Sequence, residues 1–273
     1  RLLQSRPYLL ADGATGTNLF DMGLMTGDAP ELWNFEQPER IATLHRNMIA
    51  AGADIILTNS FGGTRYRLKL HHAEARVHEL NTTAARLARA VADASGREIA
   101  VAASMGPTGE IMEPVGSMSH EEAVKAFVEQ AHALKEGGAD VLWIETMSSE
   151  EELKAAVEGC SQADLPIVTT MSFDTNGRTM MGITPKSFGA ITAALPTQPV
   201  AIGANCGVGA SELIATVLGI SEARPDAAVV AKGNCGVPQY VDGAICYNGT
   251  PEIMALYARM ALDAGARIIG GCC

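Results

Sequence analysis

Long runs of one character are missing from this chain. No stretch of Lys or Arg exceeds two residues, and no apolar stretch approaches the ~18 residues of a membrane span. Basic residues are in short supply: 20 Lys and Arg face 31 Asp and Glu, for a formal charge of −11. Nucleic acid and anionic membrane are therefore excluded as expected partners. The opening residues carry no secretory signal pattern. Cysteine is sparse, with six in 273 residues, which reads as reduced thiols or metal ligands rather than a disulfide scaffold. A cytoplasmic protein is expected. There is no linker and no low-complexity tract, so one domain over residues 1–273 is expected, although the length alone would permit two. Cys273 ends the sequence directly after an apolar, strand-like run, and a tail beyond it is expected to be missing. Nothing in the pattern fixes an oligomeric state.

What is present is a repeating alternation. Nearly half the residues (47%) are hydrophobic, and eight short apolar runs recur. They are Tyr8–Ala11, Asp54–Leu57, Ile99–Ala103, Val141–Ile144, Pro166–Thr170, Val200–Gly203, Ala227–Ala231 and Arg267–Ile269. Their lack of polar alternation suits strands buried on both faces, as in a parallel sheet. Between them, Pro38–Ala51, Ala73–Ala94, His120–Glu136, Glu150–Cys160, Pro185–Leu195, Ser211–Glu222 and Pro251–Ala264 carry helical periodicity. Thr-Pro pairs at 184–185 and 250–251 mark helix starts, and Gly closes several helices. Strict alternation predicts an α/β fold, a (β/α)₈ TIM barrel whose last helix, after strand eight, is absent from this chain. A doubly wound sheet is the alternative.

Each apolar run leads into polar residues or glycine, and in a barrel these strand ends share one rim. The rim is expected to gather Asp12, Glu145, Asn205, Asn234, Cys206, Cys272 and Cys273, while all six histidines fall in helices or their flanks. Cys206, Cys272 and Cys273 end the sixth and eighth runs, two places apart in a closed barrel. Three thiolates are soft ligands that select Zn²⁺ and leave one tetrahedral position for a substrate. Two plainer readings stand beside this one: Cys206 as a small buried hydrophobe, and Cys272–Cys273 as a disulfide. The second is strained, because neighbouring Cα atoms lie ~3.8 Å apart, below the usual disulfide range. Cys160 and Cys246 read as structural, the first in a helix and the second in a loop. Cys235 is nearer the rim but is not expected to bind metal.

Asp-Gly-Ala-Thr-Gly-Thr (12–17), Ala-Gly-Ala-Asp-Ile-Ile-Leu-Thr-Asn-Ser-Phe (51–61), Ile-Glu-Thr (144–146), Gly-Ala-Asn-Cys-Gly (203–207) and Gly-Gly-Cys-Cys (270–273) together resemble the homocysteine S-methyltransferase family. That family includes betaine–homocysteine methyltransferases and the homocysteine module of cobalamin-dependent methionine synthase. The resemblance implies that Cys206, Cys272 and Cys273 hold zinc, and that homocysteine sulfur completes the tetrahedron on its way to methionine. It also implies that Asp12 and Glu145 receive the substrate ammonium; a capping role for either carboxylate is the alternative. Backbone N–H groups from Gly13, Ala14, Thr15 and Gly16 to Thr17 can form an anion nest for the substrate carboxylate. No Gly-Lys-Ser/Thr follows, so this loop is not a nucleotide P-loop. Asn234 is a candidate either to fill the open metal position or to orient a ligand.

The methyl donor must carry an activated leaving group: a quaternary ammonium, a sulfonium or a methyl-corrinoid. No corrinoid or folate module fits in this length, so the donor is a free small molecule or is carried on another protein. Trp33 offers an aromatic face for a trimethylammonium, worth ~2 kcal/mol when desolvated. Glycine betaine is the leading expectation, with S-methylmethionine, another sulfonium or a methyl-corrinoid protein as alternatives. Thr146 stands where mammalian betaine enzymes have tyrosine, and Gly-Arg-Thr-Met-Met-Gly (177–182) reads closer to methionine-synthase modules. Two rivals of other kinds are a zinc hydrolase, which the placement of the histidines disfavours, and a non-enzymatic zinc or thiol redox sensor.

Overall fold

The computed structural model describes residues 1–207, 209–236, 238–241 and 244–273. Its strands are β1 (Leu9–Leu10), β2 (Ile55–Leu57), β3 (Ala100–Met105), β4 (Val141–Met147), β5 (Ile167–Met171), β6 (Ala201–Cys206), β7 (Val229–Gly233), β8 (Pro238–Val241), β9 (Ala244–Tyr247) and β10 (Ala266–Gly271). Eight of them form one parallel sheet in the order β1-β10-β7-β6-β5-β4-β3-β2. A parallel bridge between Ala11 and Ile55 joins the two ends into a barrel. The fold is the (β/α)₈ TIM barrel, with β10 as its eighth strand; the doubly wound alternative is overturned by that closure.

The helices form where their signals stand. Ser119 and Glu122 make a reciprocal capping box before His120–Glu136. Thr184 and Thr250 accept hydrogen bonds from Ser187 and Ile253, with Pro185 and Pro251 opening the helices behind them. Three details differ from the sequence pattern. The predicted helix from Ala73 starts as a 3₁₀ turn (Glu74–Arg76) and turns α-helical only over Val77–Ala94. Short helices at Thr15–Asp21, Trp33–Glu36 and Arg65–Lys69 occupy the loops after β1 and β2. An antiparallel β8–β9 hairpin follows β7, so Cys246 falls on a strand rather than in a loop.

Side chains alternate across a barrel wall, and this sorts the core into two layers. Leu9, Ile55, Leu57, Ala102, Trp143, Val168, Ala201, Val230 and Ile268 fill the interior. The intervening residues, such as Ile144, Ile202, Ala231 and Ile269, pack outward against the helices. Both faces are thus apolar, which is why the strands read as unbroken hydrophobic runs.

Candidate functional site

One step above the apolar interior layer, the same parity carries polar residues inward. Two residues beyond Ala102, Trp143, Val168, Val230 and Ile268 come Ser104, Glu145, Thr170, Lys232 and Gly270, and Asn205 follows Gly203 on β6. All of these but Gly270 are buried. Trp143 floors the layer, with the Lys232 ammonium 5.7 Å from its ring centroid.

Parity alone would turn Cys206 outward, toward the helices. Its backbone instead adopts a left-handed φ of 61°, and Thr146 does the same at 63°. Such conformations cost on the order of 1–3 kcal/mol for a residue with a Cβ and persist only under tight constraint. Asn205 supplies that constraint. Its Oδ1 accepts from the Thr146 N–H (2.9 Å) and from Thr170 Oγ1 (2.6 Å). Its Nδ2 donates to Thr146 Oγ1 (2.8 Å) and reaches Cys272 Sγ at 3.6 Å. The Asn-Cys pair was noticed in the sequence, but this bridging role of the asparagine was not.

The geometry brings the three cysteines together: the sulfurs of Cys206, Cys272 and Cys273 all lie within 4.8 Å of one another. Cys206 Sγ and Cys272 Sγ are 3.1 Å apart, far longer than a disulfide, and all three thiols are free. Backbone hydrogen bonds hold the terminal pair in place: Cys272 N–H to Gly233 O (2.9 Å), Gly271 N–H to Asp12 O (3.0 Å), and Cys235 N–H to Cys273 O (2.7 Å). Tyr257 accepts from Gly233 N–H at 2.9 Å and contacts Gly270 O, tying β7 to β10. Hydrogen bonds from Cys206 and Cys272 push the Cys273 thiol down to about 3. The Cys206 thiol is correspondingly held well above the usual range by its contacts with Cys272 and Cys273 and by burial. The three thiols interact strongly enough that they share their protons rather than titrating one by one.

A cavity of about 420 Å³ opens beside these sulfurs. Gly13, Thr15, Gly16, Glu145, Thr146, Lys232 and the three cysteines line it. Glu145 accepts from Ser104 Oγ at 2.5 Å and is pushed up to about 7, chiefly by burial, with Lys232 opposing. Thr15 and Gly16 open a short helix, whose first-turn N–H groups have no intrahelical acceptor. Ala14 lines a neighbouring pocket, with Cys235, Tyr247 and Cys273.

Several expected residues sit differently. Asp12 is buried with both oxygens engaged, one 2.7 Å from Lys232 Nζ and the other accepting from Leu57 N–H at 2.7 Å. It is the counter-ion of a lysine, not an open acceptor at the cavity. Lys232 itself was missed, because a lone Lys in an apolar run looks like a strand end; its parity with Val230 was the available signal. Trp33 is buried against Leu19, Leu24, Ile41 and Leu44, with the Arg40 guanidinium 5.1 Å from its ring centroid. It does not line the cavity, so it offers no face to a donor. Asn234 is buried; its Nδ2 donates to Gly207 O at 2.8 Å and its Oδ1 has no partner among the described residues. The rim is not free of histidine: His71, in the turn after Arg65–Lys69, lines the cavity.

A family model described as homocysteine S-methyltransferase matches residues 9–273. The chain belongs to the homocysteine S-methyltransferase family. Among curated relatives, methionine synthase of Mycobacterium tuberculosis is 30% identical over 286 residues, covering 98% of this chain and 24% of that protein. Methionine synthase of Mycobacterium leprae is 30% identical over 283 residues, covering 97% of this chain and 23% of that protein. This chain thus spans about a quarter of the length of those relatives. Among solved structures, the metallated form of the homocysteine methyltransferase MmuM from Escherichia coli is 26% identical. It superposes with a TM-score of 0.81, covering 100% of this chain and 93% of that one. The oxidized form of the same protein gives 0.82 at 26% identity with the same coverage.

Proposed function

We propose that this chain is a zinc-dependent homocysteine S-methyltransferase that makes methionine, with a small onium compound as methyl donor and glycine betaine as the first candidate. The observation that carries the reading is the convergence of three thiols from β6 and β10 at the edge of an open cavity. Zinc–thiolate bonds of ~2.3 Å in a tetrahedron put the sulfurs ~3.8 Å apart. The observed trio, within 4.8 Å, needs only small adjustment to reach that spacing. The sulfur set also argues against magnesium or calcium. The metallated MmuM structure is consistent with a metal in this family member too. When bound, zinc supplies a Lewis acid that favours the thiolate form of the acceptor sulfur at neutral pH.

The chain's own residues then hold the acceptor. Glu145, a carboxylate that lines the cavity beside the sulfurs, receives the homocysteine ammonium, and Asp12 acts indirectly by holding Lys232. Lys232 offsets part of the negative charge that thiolates and carboxylates build up around the acceptor. N–H groups between Gly13 and Gly16 receive the acceptor carboxylate. Asn234 positions the Cys206–Gly207 segment, and its Oδ1 has no partner among the described residues. In the reaction the homocysteine thiol gives its proton to solvent, and a sulfur electron pair forms the new bond to the donor methyl carbon. The old methyl–nitrogen or methyl–sulfur bond breaks with its pair staying on that nitrogen or sulfur, which loses its positive charge and departs as a neutral amine or thioether centre.

A cytoplasmic setting fits, because the cysteines must stay reduced; among the described residues no helix is long and apolar enough to cross a membrane. Homocysteine and the donor are the expected partners. The test is methionine formation from homocysteine with glycine betaine, S-methylmethionine, dimethylsulfoniopropionate and a methyl-corrinoid, in turn. Turnover with a sulfonium but not betaine would remove betaine; no turnover with any donor would remove the enzymatic reading. The close approach of Cys206 and Cys272 keeps a thiol redox sensor as the second reading. That reading requires reversible dithiol oxidation in a protein that transfers no methyl group.

A further inference from the structure

Among the described residues, five other than glycine have a left-handed backbone: His72, Thr146, Asp164, Asn176 and Cys206. His72, Asp164 and Asn176 stand in exposed turns and loops, and their side chains are of the kinds that tolerate this conformation. Thr146 and Cys206 both line the cavity, and a β-branched residue such as threonine is a true outlier there. The sulfur cluster accounts for Cys206. Thr146 is left to explain. The strand around it is bulged: β4 pairs with β5 as far as Ile144, and pairing resumes at Met147 with one extra residue on β4. Glu145 and Thr146 occupy that bulge and both line the cavity, although neighbours in a regular strand point to opposite faces. Bulges re-aim side chains in this way and are common beside active sites. Asn205 fixes how the threonine is presented. Thr146 N–H donates to Asn205 Oδ1 (2.9 Å), and Thr146 Oγ1 accepts from Asn205 Nδ2 (2.8 Å). The hydroxyl's own hydrogen has no acceptor among the described residues. The same Nδ2 lies 3.6 Å from Cys272 Sγ, so the hydroxyl stands within two hydrogen-bond lengths of the sulfur cluster.

We propose that the Thr146 hydroxyl donates a hydrogen bond to the thiolate sulfur of the acceptor, and that the strained bulge serves to deliver it. The inference rests on the methyl-transfer reading and adds a residue that touches the reacting atom. A sulfur sharing a zinc tetrahedron with Cys272 stands ~3.8 Å from Cys272 Sγ, which suits a position between that sulfur and the hydroxyl. A thiolate is a charged acceptor, so the bond to it is charge-assisted, whereas the thioether of methionine accepts weakly. Methyl transfer therefore dissolves the bond. As the sulfur electron pair forms the bond to the methyl carbon, the charge that held the Thr146 hydrogen is lost, and that hydrogen stays on Oγ1. Thr146 thus favours homocysteine over methionine in the same site and eases departure of the product.

The experiment is calorimetry on zinc-loaded wild type, Thr146→Val, Thr146→Gly and Thr146→Ser, with L-homocysteine and L-methionine as probes. Urea midpoints check folding, and metal analysis ensures that samples of equal zinc content are compared. Thr146→Gly relieves the left-handed backbone instead of burdening it, so it keeps the test alive if Thr146→Val does not fold. Loss of the hydroxyl should weaken homocysteine about 10-fold and leave methionine within about twofold, with Thr146→Ser restoring most of the difference. With a donor that turns over, the KM for homocysteine should rise while kcat does not fall, because the bond removed is strongest before the methyl moves. Equal weakening of both ligands, unchanged homocysteine affinity in Thr146→Gly, no rescue by Thr146→Ser, or a wild type that binds no homocysteine would each overturn the proposal. If no donor methylates homocysteine, the functional reading fails by itself, and the Thr146 bond is still judged by the two affinities.

Discussion

Replacing Asn205 by alanine isolates what holds the geometry of the three-cysteine cluster. Asn205 is fully buried and makes three hydrogen bonds of 2.6–2.9 Å to Thr146 and Thr170, plus a longer one to Cys272. A typical buried hydrogen bond contributes about 1 kcal/mol net, and stranding its partner costs about 1–3 kcal/mol. The substitution leaves the Thr146 N–H and both threonine hydroxyls without their acceptor or donor and opens a small cavity. The expected loss is about 2–4 kcal/mol of folding free energy, read from urea unfolding monitored by circular dichroism. The left-handed turns at Thr146 and Cys206 also lose their brace, so zinc affinity should fall about 10- to 100-fold, as for other residues that orient metal ligands. Asn205→Asp keeps the acceptor oxygen and loses the amide donor, and should fall between the two. A stability change under about 0.5 kcal/mol, typical of an unremarkable surface site, with zinc affinity unchanged, would refute the reasoning.

Four further outcomes follow from the same geometry. Lys232→Met strands the buried Asp12 carboxylate and should cost about 3–5 kcal/mol in urea unfolding, with part recovered by adding Asp12→Asn. Glu145, with its pKa near 7, must be ionised to attract an ammonium; methionine binding should therefore tighten as pH rises from about 6 to about 8. Calorimetry on Glu145→Gln should give weak binding that is flat over that window; an unaltered pH dependence would exclude the assignment. Trp33→Phe should leave the KM for every donor unchanged, since the ring lies in its own apolar cluster under Arg40. Cys235→Ser should retain full zinc content by metal analysis, because Cys235 is not among the clustered thiols.

The barrel was legible because burial on both faces of a parallel sheet leaves an unmistakable pattern: short Val/Ile/Ala runs, each followed by a glycine or polar residue. Strand ends were less legible. β4, β6 and β10 run on through Glu145, Cys206 and Gly271, where polarity had marked a stop. Strand-end position brought the three clustered cysteines into view, but it is too coarse to say which way a side chain points. Two-residue parity does better: it carries Ser104, Lys232 and Asn205 into the interior and explains why the lysine sits beside Asp12. Parity fails at Cys206 and Thr146, where left-handed backbone turns reverse the direction, and no local signal announces them. Trp33 misled for a different reason: an aromatic in a rim loop packs inward when neighbouring helices supply Leu19, Ile41 and Leu44. The Asp-Gly pair at 242–243, between Val241 and Ala244, was the available sequence signal for the β8–β9 hairpin, and the reading by apolar runs passed over it.

The account stands or falls on the three clustered sulfurs. Metal analysis of freshly purified, reduced protein, wild type and with Cys206, Cys272 or Cys273 changed singly to alanine, addresses them directly. One zinc ion per chain in the wild type, lost in each variant while the barrel stays folded, is the predicted result. Stoichiometric zinc surviving in Cys206→Ala, or reduced wild-type protein that folds and methylates homocysteine without any metal, would contradict it.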